Sequence, residues 1–396
     1  MKLIQREDYL NQLNRVKGTP DVKIITGIRR SGKSKLMDAF AESLAQKDAA
    51  ANVVRINLRL KQYQNLLDGD KLYDFANAHV AKGRKNYLIV DEIQESSGFE
   101  RTINSLLDED NFEIYLTGSN AFMLSSDLAT LFGGRTFELH VFPFSFKEFL
   151  LYYPSTDPTS SFDNYVAKGG MAGSYLYSNP QDARKYLEGI VRTNIAKDVV
   201  KKFSIENEVL LNMVIDFLMD NIGSKTSIRN ISNTLTNNRF QTNNKTVGTY
   251  LDDLCKSFLF YPCARYDIAG KRYLESDKKY YLSDLGFRFA ILGTRKPDYG
   301  HLYENLVALE LMRRGYEVYV GVLYQKEIDF VAVKEGSKTY FQVSDDISVP
   351  KTFTREVTPL LAIKDAYPKV LIARTRHPEY QYEGVRVIDI ADWLSH

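Results

Sequence analysis

Apolar and polar positions along the first third of the chain alternate between two periods. Residues 22–28 (VKIITGI) form an apolar run rich in β-branched side chains, passing at once into a glycine turn and a helical pattern over 33–46. Further short apolar runs at 53–58, 87–90 and 112–116 are separated by helical stretches over 70–81 and 99–108. Strands alternating with helices predict a parallel, doubly wound α/β sheet. A fifth run, 136–142, ends at Pro143, and the aromatic PFSFKEFLLYY after it reads as a short helix that closes a first domain at 1–154.

Residues 155–174 are rich in Ser, Asp, Pro and Gly, with GGMAG at 169–173, and read as a connection. It leads into helices over 181–201 and 205–220, so 155–220 is expected to form a helical lid. Two short helices (227–235, 244–256) then precede paired strands (257–266, 271–282), and this helix, helix, ribbon order predicts a winged-helix module at 221–299. A helix (302–314), three strands (317–324, 327–333, 338–344), a helix near 354–365, a strand at 369–373 and a last strand–helix pair predict a small α/β domain at 300–396.

Composition narrows the class. A 396-residue chain with 44% hydrophobic and 26% charged residues and only 11 prolines is ordinary globular protein of two to four domains. Cys255, Cys263 and five scattered histidines complete no metal-ligand spacing, which argues against structural zinc. The charged start MKLIQREDYL lacks the apolar core of a secretory signal, and no 18-residue apolar run could span a bilayer. The expected setting is cytoplasmic, without a membrane partner.

Gly27-Ile28-Arg29-Arg30-Ser31-Gly32-Lys33-Ser34 fits GxxxxGK[ST] between a predicted strand and a predicted helix. Glycines there let backbone N–H groups cradle phosphate oxygens at a helix N-terminus; Lys33 neutralises β/γ charge and the Ser34 hydroxyl ligates Mg²⁺. Tyr87–Glu92 (YLIVDE) is an apolar strand ending in two carboxylates, of which Asp91 is expected in the Mg²⁺ shell and Glu92 beside the attacking water. One strand intervenes between the two motifs, which predicts the strand order 5-1-4-3-2. The next strand ends in LTGSN, where Asn120 is the first candidate to orient water, with Thr117 and Ser119 behind it and a plain polar turn as the alternative. Arg135 follows Gly133-Gly134 and is the candidate finger toward a neighbouring subunit's γ-phosphate, a surface ion pair being the alternative.

These residues resemble the AAA+ class of P-loop ATPases. More narrowly, TGIRRSGKS, YLIVDEIQ, YLTGSNAFML, GGRTFEL with PFSFKEFL, YENLVALEL and EIDFVAV are similar to a bacterial and archaeal family of predicted ATPases with a C-terminal restriction-endonuclease-like domain. The resemblance implies ATP and Mg²⁺ as cofactors, and a homo-oligomer, as a hexameric ring, with Arg135 reaching between subunits. It also implies a PD-(D/E)xK-type site, for which Glu304 and Asp329 match the helix Glu and the first Asp. Gln342 stands where the second carboxylate belongs and Ser344 where the Lys belongs. Metal-dependent phosphodiester cleavage needs the clustered carboxylates, so a nuclease-like domain without nuclease activity is expected, with substitution by Asp345 and Asp346, just past the strand, as the alternative.

Net charge is only +2 overall, but between 221 and 282 ten Lys/Arg oppose five Asp/Glu. Arg239 and Lys245, in and beside the amide-rich NNRFQTNNKT, and Lys271 and Arg272 in the ribbon turn are the candidate DNA contacts. DNA, branched forms included, is the expected partner; protein docking and a plain solvated face are the alternatives. The resulting readings are a DNA-coupled ATPase, an ATP-dependent switch that assembles on a protein, and an ATP-gated nuclease.

Overall fold

Five consecutive buried residues make Val22–Thr26 (β1) the buried strand that the apolar run predicts. The computed structural model describes residues 3–118, 130, 132–155, 157–238, 240–293 and 297–396. They fall into two units, Met1–Pro143 with Lys256–Phe258, and Phe144–Cys255 with Leu259–His396.

In the first unit, α1 (Glu7–Arg15) precedes β1, and α2 (Lys33–Lys47), β2 (Ala51–Asn57), α3 (Gly69–Ala78), β3 (Lys85–Asp91), α4 (Phe99–Asp108), β4 (Glu113–Thr117) and β5 (Thr136–His140) follow. The sheet order is β2-β3-β4-β1-β5, the predicted one, with every pairing parallel. Period-two alternation sends Ile24, Leu88, Val90 and Leu116 to one face with Leu72 of α3 and Ile103 of α4. Ile25, Tyr87, Ile89 and Tyr115 go to the other, with Leu36, Met37 and Phe40 of α2. Both faces are covered, which is why the strands read as unbroken apolar runs.

The second unit opens with α5 (Phe146–Tyr152), begun by a capping box in which Ser145 accepts from Glu148 N–H and Glu148 accepts from Ser145 N–H. The break at Pro143 therefore lies before the expected boundary at 154. Residues 155–174 are also more than a connection: α6 (Pro158–Lys168) occupies their middle, with Asp157 accepting from Thr159 N–H and Pro158 in the first turn. The Asp, Pro and Ser that suggested a loop are helix-start residues here. Then come α7 (Pro180–Gly189), a wider turn at Ile190–Ile195, α8 (Ala196–Phe203), α9 (Glu208–Asp220), α10 (Ile228–Asn237) and α11 (Asn244–Lys256).

The ribbon β6 (Phe260–Asp267) and β7 (Arg272–Leu282) is followed by α12 (Leu285–Leu292), α13 (Tyr299–Arg313), β8 (Glu317–Leu323), β9 (Lys326–Lys334), β10 (Ser337–Ser344), α14 (Pro350–Leu361), β11 (Lys369–Ala373), β12 (Tyr380–Tyr382), β13 (Val385–Asp389) and α15 (Ile390–Ser395). All eight strands form one mixed sheet, β12-β13-β11-β10-β9-β8-β6-β7. The ribbon is thus no separate wing. β6 runs parallel to β8, Arg265 opposite Val320, so the expected boundary at 299/300 cuts a continuous sheet. The cause is burial: Tyr266 and Ile268 share a core with Leu323, Ile328 and Val331.

Candidate functional site

Because β1 to β5 are parallel, the loop after β1 and the ends of β2, β3 and β4 share one edge of the first sheet. In the loop, Gly27, Arg30 and Gly32 have φ of 134°, 66° and 100°. A Cβ on Gly27 would meet the Val141 carbonyl oxygen at 2.2 Å, so this position needs glycine for space as well as for φ. Arg6 braces the loop, donating from Nη1 to the Ser31 carbonyl (3.0 Å) and from Nη2 to that of Phe142 (2.9 Å). Ile28 is buried in the core, Arg29 is half-buried and Arg30 is exposed.

Lys33 begins α2 and is 5% exposed. Its Nζ donates to the carbonyls of Gly27 (2.7 Å) and Ile28 (2.9 Å). Burial lowers its pKa from 10.5 to about 8; Glu92 and Asp91 oppose the shift, and Arg59 and Arg29 add to it. The Ser31 hydroxyl is buried with no hydrogen-bond partner among the described residues. An orphaned hydroxyl, an under-neutralised ammonium and a helix N-terminus make a donor set suited to phosphate.

Asp91 ends β3 and is held on three sides. Thr117 Oγ1 donates to its Oδ1, Asn57 Nδ2 donates to its Oδ2 (3.1 Å), and the Arg55 guanidinium lies 3.8 Å away, itself paired with Asp38 at 2.9 Å. Glu92 sits at φ 58°, in the left-handed region that costs a non-glycine residue energy and turns the side chain out of the strand. It pairs with Arg59 Nη1 at 3.0 Å and accepts from Gln94 Nε2. Its backbone N–H donates to the Thr117 hydroxyl (3.3 Å), so Thr117 ties the Asp91 carboxylate to the Glu92 main chain.

The structure therefore brings Lys33, Asp91, Glu92 and Thr117 to one edge, while Asn120 and Ser119 lie outside the described residues. Sequence reasoning missed Arg55, Asn57 and Arg59. The signal was present: polar residues interrupt the apolar run VVRINLR toward the strand end that faces the phosphate loop. The donor set fits ATP and Mg²⁺. The loop N–H groups and Lys33 would hold phosphates, and Ser34 and Asp91 the cation, whose charge would offset that of the phosphates. Glu92 is the second carboxylate at this edge.

Arg135 lies at the opposite edge. Val22 N–H donates to its carbonyl (3.0 Å) and Thr136 pairs with Val22, so it flanks the start of β1 while the phosphate loop leaves the end. Its guanidinium pairs with Asp108 at 2.9 Å, both side chains being exposed.

A family model described as an AAA domain matches residues 19–150, and one described as a domain of unknown function (DUF8612) matches residues 159–298. An uncharacterized protein of Haemophilus influenzae is 38% identical over 399 residues, covering 99% of this chain and 98% of that protein. The chain belongs to that protein's family. An uncharacterized protein of Methanocaldococcus jannaschii is 24% identical over 368 residues, 88% of this chain and 80% of that protein. Among solved structures, AMPPCP-bound DnaA from Aquifex aeolicus (14% identity, TM-score 0.30, 64% of this chain and 88% of that one) is similar in part. So is the Saccharomyces cerevisiae Hsp104–ADP complex (12%, TM-score 0.32, 65% and 38%).

Beyond the AAA domain, the second unit gathers charge at its sheet. Lys279 Nζ, on β7, lies 2.8 Å from Glu304 Oε1 on α13 and 2.8 Å from Glu327 Oε1 on β9. Tyr281 donates to the same Glu304 oxygen (2.6 Å). Burial works against the Lys279 charge, but Glu304, Asp329 and Glu327 outweigh it and raise its pKa. Burial, with Glu304 adding to it, pushes the Asp329 carboxyl well up, and its Oδ2 accepts from Val343 N–H (2.8 Å). Gln342 accepts from Asp329 N–H (3.4 Å) and donates to Glu356 Oε2 (3.1 Å); Ser344 donates to the Asp346 carbonyl (3.1 Å). Lys279, Glu327 and Glu356 were not among the sequence candidates. Among the described residues no three His, Cys, Asp or Glu side chains are placed to hold a metal ion.

Of the candidate DNA contacts, Arg239 lies outside the described residues, and Lys245 and Lys271 are exposed. Arg272 is 3.4 Å from Asp267, and Lys225 is 3.2 Å from Asp277. Those two pairs lie within 221–282 and leave its charge excess as it is; Lys279, paired with Glu304 and Glu327 outside the segment, takes up part of that excess. No helix among the described residues is long and apolar enough to cross a membrane.

Proposed function

We propose that the chain is a Mg²⁺-dependent ATPase of the AAA+ type that works as an oligomer and couples its cycle to DNA. The observation that carries the reading is the meeting of an under-neutralised Lys33 with Asp91 and Glu92 at one sheet edge. Ser34 and Asp91 hold the cation, and Glu92 orients water once released from Arg59. Arg135 cannot reach its own loop from the opposite edge, so its role is in a neighbour's site, in a ring of subunits. Its exposed pair with Asp108 is worth only about 0–1 kcal/mol and is readily exchanged for phosphate. The DNA face is assigned to Lys245, Lys271, Arg272 and Arg239, and the nuclease-like domain serves for binding without cleavage.

A second reading, a switch that assembles on a protein partner, is favoured by one observation: the ribbon is built into a sheet instead of standing free as a wing. Steady-state ATP hydrolysis by wild type and Glu92→Gln, alone and with single-stranded, duplex or four-way-junction DNA, separates the two. Stimulation of the wild type by one DNA form supports coupling. Hydrolysis indifferent to every DNA removes it, and full turnover by Glu92→Gln removes Glu92 from its role.

A further inference from the structure

The nuclease-like pattern implies a divalent cation among Glu304, Asp329 and the residue at 342, but the side chains present do not fit one. Gln342 is neutral, and its amide is engaged between the Asp329 N–H and Glu356. Ser344 turns to the Asp346 carbonyl, and Asp346, exposed, accepts from Ser348 N–H (2.7 Å) and Oγ (3.0 Å) in its own turn. Instead, the ammonium of a lysine from a different strand lies 2.8 Å from carboxylate oxygens of α13 and β9.

We infer that the Lys279 ammonium is an internal replacement for that cation, making the constellation a metal-independent electrostatic cross-tie between β7, α13 and β9. One ammonium on two carboxylates supplies half the charge of a divalent cation, and the Tyr281 hydroxyl adds a further donor on Glu304. Lys279 and Glu304 are both about 5% exposed, so the exchange is enforced in the interior and not on a mobile surface. The site then excludes divalent cations by prior occupation. This inference is independent of the ATPase reading.

The test is a Mn²⁺ titration of nucleotide-free, full-length protein, reading free Mn²⁺ by electron paramagnetic resonance. Wild type and Glu304→Gln are expected to give the same curve. Lys279→Met is expected to gain one Mn²⁺ bound at least ~10-fold tighter than anything in wild type, and Lys279→Met with Glu304→Gln to lose it. Wild-type Mn²⁺ binding that disappears in Glu304→Gln overturns the inference, as does a folded Lys279→Met that binds no additional ion. If Lys279→Met does not fold alone, its refolding from denaturant with and without Mn²⁺ decides: recovery with the metal supports replacement, and no recovery overturns it.

Discussion

Two buried lysines, each near two carboxylates, end in opposite electrostatic states. Among the described residues Lys33 has no carboxylate in contact: its ammonium rests on two carbonyls, and Asp91 and Glu92 are occupied by Asn57, Thr117, Arg55 and Arg59. Burial therefore dominates, and its pKa falls to about 8. Lys279 touches Glu304 and Glu327 directly, and its pKa rises. A buried cation left unsatisfied is a binding site for an anion; one already neutralised is a structural tie. The difference is made by the arginines: at the phosphate loop they claim the carboxylates and leave the lysine to its ligand.

The comparison breaks first on stability. Removing one partner of a buried pair leaves the other charge uncompensated, so Lys279→Met should cost about 3–5 kcal/mol in denaturant unfolding of the second unit. Lys33→Ala removes a cation that makes no ion pair among the described residues, and should leave the unfolding free energy within about 1 kcal/mol of wild type. It should nevertheless weaken ATP binding by at least ~100-fold. Equal destabilisation by both substitutions would mean that the two lysines do not differ as described.

How much of this was legible follows the same divide. The phosphate loop, the Asp91-Glu92 strand end and one strand between them made the strand order legible, because a parallel sheet with both faces covered leaves few alternatives. The limits of α4, Phe99–Asp108, were readable from its apolar spacing alone. Lys279 was not. In KKYYL it reads as part of a basic ribbon, and only the pairing of β6 with β8, 55 residues apart between Arg265 and Val320, brings α13 and β9 to it. The same long-range pairing hides the continuity of the sheet, since a two-stranded ribbon has one local pattern whether it stands free or joins other strands. Glu356 escaped for a related reason: it reaches Gln342 of β10 from α14, and only the fold brings the two together.

Smaller effects sharpen the description of the phosphate-loop edge. Thr117→Val keeps the shape but removes both the donor to Asp91 and the acceptor for Glu92 N–H, and should lower turnover about 10-fold with nucleotide affinity changed far less. A change in affinity alone would show that Thr117 supports the loop and not the carboxylates. Arg59→Ala frees Glu92 from its 3.0 Å partner and should raise basal hydrolysis a few-fold. A fall would make Arg59 a participant in phosphate binding, not a restraint on Glu92.

The smallest effect is a fraction of a proton. With a pKa of about 8, Lys33 is mostly charged at pH 7 and mostly neutral at pH 9 in the nucleotide-free protein. Between that value and 10.5 the unfolded chain binds more protons than the folded one, so the nucleotide-free fold gains stability as pH rises through this window. Phosphate favours the ammonium, so ATP binding above pH 8 must draw a proton from solvent, and affinity must weaken as pH climbs. Calorimetry in two buffers of different ionisation heat should show proton uptake that grows from pH 7 to pH 9. Uptake that stays at zero over this range would mean that Lys33 keeps its charge without a ligand, and would place it with Lys279 instead of opposite to it.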